Sequence, residues 1–274
     1  MIATCRPRNH EAPTPPPAAR AHPVTLDIPD GFTCPAGMTL VPGATVNVLY
    51  RGNRWDGEGD VQIPNAPFCI DSYEASQPDA TATAIGSWQE QAKPPPATSR
   101  RGVLPWTSVS WENARAACES AGKRLPTLAE WQMAFSGASG DLWPWGNTLK
   151  ANRCNVANPS GPRPTGACCF TICEDWCYNV CDMVGNVSEW VSDYWDRDCY
   201  GETQVSIAGG AYGNEYFFPH TDVPNGNIQR PDPARPGCWV MSNYGLDRSG
   251  LHAHARSFGA PDDGFRCAKS VNAE

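Results

Sequence analysis

The chain has 274 residues, a formal net charge of -8 and 41% hydrophobic residues. That is enough apolar material for one sizeable core, yet no apolar run approaches the roughly 20 residues that a membrane-spanning helix needs. The 21 basic residues are scattered through an acidic chain. Phosphate binding needs them concentrated, so the composition argues against a nucleic-acid partner.

Residues 1–24 read as an N-terminal tether: six prolines fall between Arg6 and Val24, with little that could pack. Ile2-Ala-Thr-Cys5 resembles the small-residue box before the lipidated cysteine of bacterial lipoproteins. Cys5 is therefore either a lipid anchor or a free thiol on the tether. From residue 25 to 274 no second linker and no repeat interrupts the pattern, which predicts one domain. Met38-Thr-Leu-Val-Pro42, Val46-Asn-Val-Leu-Tyr50 and Pro67-Phe-Cys-Ile-Asp-Ser-Tyr73 read as strands. Residues 75–105, rich in Pro and Ala, read as loop.

Two helices follow. Ser110 can cap a helix carrying Trp111, Ala114, Ala117, Cys118 and Ala121, with Gly122 as its stop. Thr127-Leu-Ala-Glu130 is a capping box, in which hydroxyl and carboxylate each satisfy an orphan amide of the next helix. Beyond it, Glu189–Ser192, Val205–Ala208, Trp239–Met241 and Gly264–Cys267 read as short strands between long loops.

Thirteen cysteines in a chain with 25 glycines and 27 prolines point to a loop-rich domain cross-linked by disulfides, hence an extracytoplasmic location. Setting Cys5 aside leaves twelve, an even number. Cys34 and Cys69 flank the first strands at a spacing suited to clipping them together. Cys168, Cys169, Cys173, Cys177 and Cys181 cluster, and four of them would share one face if the segment were helical. A metal–thiolate knuckle is the rival to disulfides there, although the usual C-x2-C spacing is missing.

Seven motifs occur in order: Phe68-Cys-Ile-Asp-Ser-Tyr-Glu74, Val109-Ser-Trp111, Gly122-Lys-Arg-Leu-Pro-Thr-Leu-Ala-Glu-Trp131, Trp143-Pro-Trp-Gly146, Asp182-Met-Val-Gly-Asn-Val-Ser-Glu-Trp190, Gly209-Gly-Ala-Tyr212 and Gly264-Phe-Arg-Cys267. Together they resemble the formylglycine-generating enzyme, or sulfatase-modifying factor, domain family over about residues 34–270. The resemblance implies an α+β, irregular C-type-lectin-like fold: two main helices, small twisted antiparallel sheets, much loop and disulfide staples. It also implies a bridge from the first helix to the last strand, Cys118 to Cys267. Trp111, Trp131 and Trp190 then read as packing, and Lys123-Arg-Leu-Pro126 as a structural corner.

The family's oxidase holds copper(I) with two thiolates after its Gly-Gly-Ser motif. Here Asn214 and Pro219 stand at those positions, and neither an amide nor a proline suits a soft cation. Copper is therefore not expected. His252 and His254 alternate along a strand pattern, but iron-using relatives draw their histidines from a domain missing here. The resemblance further implies structural calcium held by the Asp182 and Glu189 carboxylates and the Gly185 and Val187 carbonyls, with a second site starting at Asn155 and Val156. Hard oxygen ligands around a Gly turn fit that ion.

The expected function is a non-catalytic binding or scaffold protein that meets a protein or glycan at a cell surface. Its candidate binding face is Asn214, His220, Asp222, Asn225 and Arg230, in and beside the polar insert 220–237. The alternative is an oxidoreductase of the same family using relocated ligands such as Cys199 and Cys238.

Overall fold

The computed structural model describes residues 28, 31–48, 61–90, 92–137, 144, 154–156, 158, 160–173, 177–196, 204–212, 230–231, 239–240, 252–255, 257 and 259–271. In chain order the elements are β1 (Met38–Val41), β2 (Thr45–Val48), β3 (Val61–Pro64), β4 (Phe68–Asp71), β5 (Ala75–Ser76), β6 (Thr98–Ser99), α1 (Trp111–Ser120) and α2 (Leu128–Ser136). There follow β7 (Cys169–Cys173), β8 (Cys177–Cys181), β9 (Ser188–Asp196), β10 (Gln204–Ala208), β11 (Arg230–Pro231), β12 (Trp239–Val240), β13 (His252–Ala255), β14 (Asp263–Phe265) and β15 (Ala268–Ser270).

Both helices begin where the capping signals place them. The Ser110 hydroxyl accepts from the Asn113 amide, and α1 buries Trp111, Ala114, Ala117 and Cys118 along one face. Ala121 is its C-cap, with Gly122 in the left-handed region at φ 68°. The capping box of α2 is complete, and the Asp193 carboxylate from β9 accepts from the Leu128 amide at 2.6 Å as a further cap. α2 is apolar on most sides because two sheets enclose it: Leu128, Trp131, Met133 and Phe135 are all buried.

The larger sheets run β1-β4-β15 and β13-β10-β9-β14, and smaller pairs join β2 to β3, β5 to β6, β7 to β8 and β11 to β12. The sheets are not wholly antiparallel as expected, since β14 pairs with β9 in parallel. A hairpin cannot make that pairing, and β14 enters from a distant part of the chain. The short β5–β6 pair lies within the stretch read as loop. One core packs α2 against Phe68, Ile70, Val180, Met183, Val184 and Val191. The other packs α1 against Trp106, Trp190, Val205, Ile207 and Phe265. The three motif tryptophans are packed as expected, and two of their indole N–H groups donate to backbone: Trp111 to Val191 O and Trp190 to Val109 O, both at 2.8 Å.

Among the described residues, four disulfides staple these layers. Cys34–Cys69 and Cys118–Cys267 form as expected. The cysteine cluster is not helical: it lies on the β7–β8 hairpin, and Cys154–Cys168 and Cys169–Cys181 are bridged. The helical stacking that a metal knuckle required is absent, because strand pairing turns the four-residue spacing into cross-strand partners. Among the described residues, no helix is long and apolar enough to cross a membrane.

Candidate functional site

The turn from Asp182 to Ser188, between β8 and β9, is buried throughout. Its chain reverses sharply through positive φ at Asp182 (58°), Gly185 (73°) and Asn186 (67°). Asp and Asn tolerate that region better than most residues, and Gly enters it freely. At Gly185 a side chain is also sterically barred, since a Cβ would lie 2.5 Å from the Asn155 carbonyl oxygen.

Around this turn stands a buried ionic cluster. Arg266, fully buried after β14, donates from Nε to Glu189 Oε2 at 2.6 Å and from a terminal nitrogen to Oε1 at 2.5 Å. Its remaining donors reach Asp71 O at 3.0 Å and Cys181 O at 2.8 Å. The Trp131 indole also donates to Glu189 Oε2, at 2.7 Å. The Asp182 carboxylate accepts from the Gly166 amide and, at 2.9 Å, from Cys168 N. Glu74 accepts from Val187 N at 3.0 Å and from the Asn186 side-chain amide. Asn186 in turn accepts from Asn155 Nδ2 at 2.8 Å and Arg163 N at 2.7 Å, which ties the loop around Asn155 to the turn.

The electrostatics are unbalanced. Three buried carboxylates, Glu74, Asp182 and Glu189, face one guanidinium. Burial, and then the charges of Asp182 and Glu189, push the Glu74 carboxyl well above its ordinary range. Burial also raises Asp182, against the pull of the Gly166 and Cys168 amides. Nearby, Asp71 is raised by burial while Lys123 opposes the shift through a 2.6 Å ion pair. Arg124 binds Glu130 at 2.6 Å, so the Lys123-Arg124 corner is structural.

The structure thus brings Asp182, Gly185 and Val187 into one turn, places Glu189 just after it on β9 and sets Asn155 and Val156 directly behind it. Both carboxylates expected to hold calcium already accept hydrogen bonds from the protein. Among the described residues, no three His, Cys, Asp or Glu side chains converge to hold a metal ion. Any ion at the turn would therefore lean on backbone carbonyls beside two shared carboxylates. Of the expected binding face, Arg230 begins β11. Asn214, His220, Asp222 and Asn225 lie outside the described residues, as do Pro219, Cys5, Cys199, Cys238 and the tether. The segment leading to that face is anchored, because Tyr212 N donates to Asn186 O at 3.0 Å and Gly185 N to Gly209 O at 2.9 Å.

Sequence reasoning missed Arg266, Glu74 and Asn186. A signal was present at Arg266: it separates Phe265 from Cys267, two residues of one core cluster. A charged residue alternating with two core residues faces the opposite, equally buried side.

Residues 28–271 match the family described as sulfatase-modifying factor enzyme 1-like domain. The chain belongs to this family. It is 35% identical over 201 residues to the formylglycine-generating enzyme of Mus musculus, an alignment covering 66% of this chain and 48% of that protein. It is also 35% identical over 143 residues to the inactive C-alpha-formylglycine-generating enzyme 2 of Bos taurus, covering 45% of this chain and 46% of the relative. The chain thus spans about half the length of these two relatives. Among solved structures, PvdO from Pseudomonas aeruginosa overlays with a TM-score of 0.48 at 18% identity, covering 85% of this chain and 94% of that one.

Proposed function

We propose that this family member is an extracytoplasmic, non-catalytic binding or scaffold protein that meets a protein or glycan through its 213–237 segment. The observation that carries this reading is chemical: Asn214 and Pro219 stand where an oxidase of this family needs two thiolates. Copper(I) is soft, and neither residue offers it a sulfur. Copper does not fit that motif. The two mammalian relatives are equally identical to the chain, and one is named an enzyme and the other inactive. Overall likeness therefore does not choose between them, and the local residues must. Four disulfides support an oxidising compartment. The expected result is no conversion of a Cys-x-Pro-x-Arg peptide after loading with copper(I), with mass spectrometry watching for the aldehyde. Turnover that Cys199→Ser or Cys238→Ser abolishes would establish the oxidoreductase alternative instead.

Calcium at the Asp182–Glu189 turn is the second part of the proposal. Its support is the chemistry of the turn, where the Asp182 and Glu189 carboxylates exceed the single positive charge of Arg266 and hard oxygens suit a divalent cation. Bound only by the folded state, the ion stabilises by an amount that grows with its concentration above the dissociation constant. A chelator should therefore lower the melting temperature of the intact chain, and readdition of calcium should restore it. Equal melting curves with and without chelator would show that Arg266 and the backbone amides hold the turn unaided.

A further inference from the structure

The β7–β8 hairpin pairs in unbroken register: Cys169 with Cys181, Phe170 with Val180, Thr171 with Asn179, Ile172 with Tyr178 and Cys173 with Cys177. Facing residues of an antiparallel pair alternate between hydrogen-bonded positions, about 5.5 Å apart at Cα, and close non-hydrogen-bonded positions, about 4.5 Å apart. Cys169 and Cys181 are bridged with their Cα atoms 4.0 Å apart, which marks a close position. Cys173 and Cys177 lie four residues further along each strand. An even step returns to the same kind of pair and to the same face of the ribbon.

We propose that Cys173 and Cys177 are joined by a second disulfide across this hairpin. The ribbon is then stapled at both ends of its paired register. In the bond-forming reaction each thiol gives up a proton and one S–S bond forms. The two electrons reduce an exchanging disulfide, which leaves as two thiols. The register also disposes of a four-thiolate metal site, because the Cys169 and Cys181 sulfurs are already spent on each other. With this bridge in place, Cys5, Cys199 and Cys238 are the cysteines left to be assigned. The pairing does not depend on the binding-protein reading.

The test labels the purified, unreduced full chain with a maleimide under denaturing conditions and maps the label by mass spectrometry. Wild type should carry none at Cys173 or Cys177, whereas Cys173→Ser should gain one label, at Cys177. A label on either cysteine in wild type overturns the proposal. Should Cys173→Ser fail to fold, wild type alone decides, through partial reduction at acid pH followed by cyanylation of each released thiol. Release of Cys173 and Cys177 as a pair is the expected result; a link from either to another cysteine overturns the assignment.

Discussion

Arg266→Met should destabilise the protein by about 3–5 kcal/mol, the range for breaking a buried ion pair by removing one partner. The magnitude follows from what is stranded. Glu189 would keep only the Trp131 indole as a charge-stabilising donor, and the Asp71 and Cys181 carbonyls would lose theirs. Lysine should not rescue the site, because a compact ammonium cannot present the planar fork that meets Glu189 through two nitrogens. Arg266→Met combined with Glu189→Gln should recover part of the loss by removing the stranded charge. Denaturant unfolding of wild type, Arg266→Met, Glu189→Gln and the double variant forms the double-mutant cycle that isolates the pair.

The same cluster fixes the sign of the pH dependence. Glu74 binds its proton more tightly in the folded state, where its pKa lies well above the ordinary 4.5. Its stabilising contribution is therefore full below the unfolded pKa and is lost as pH rises through the folded one. In Arg266→Met the uncompensated charges strengthen this trend, so the variant's deficit should shrink as pH falls from about 8 toward about 5. A loss under about 1 kcal/mol at neutral pH would show that the cluster contributes no more than an exposed pair.

The helices and the strands flanking them were legible because their signals are local. Capping hydroxyls, a Thr–Glu box and a stop glycine act within a few residues of where they sit. The ionic cluster was not legible as a unit, because Glu74, Asp182, Glu189 and Arg266 come from segments spread over almost 200 residues. Only packing shows that Glu189, first read as a calcium ligand, faces a guanidinium. The 168–181 cysteines, read as disulfides with a metal knuckle as the rival, left their local structure open for a related reason. Four-residue spacing suits one face of a helix and also suits facing positions of a hairpin, and the sequence between them is too short to choose. Strand pairing decides it.

Replacing both Cys118 and Cys267 by Ala should cost roughly 5 kcal/mol, more than removing either partner bridge of the 154–181 region. The bridge spans 149 residues, against 14 for Cys154–Cys168 and 12 for Cys169–Cys181. Loop-closure entropy grows with the logarithm of loop length, so the shorter bridges should each contribute about 3 kcal/mol. Both sulfurs of the long bridge are buried in the core that holds Trp190 and Phe265, where α1 meets the strands. Losing the bridge therefore also frees α1 from the segment that carries Arg266. At about 2–4 °C per kcal/mol for a domain of this size, the double variant should melt roughly 10–20 °C below wild type. Thermal unfolding of Cys118→Ala/Cys267→Ala beside Cys154→Ala/Cys168→Ala, both unreduced, tests the ordering. If the 14-residue bridge proves worth more than the 149-residue one, chain entropy is not what these staples supply, and native packing around the hairpin sets their value instead.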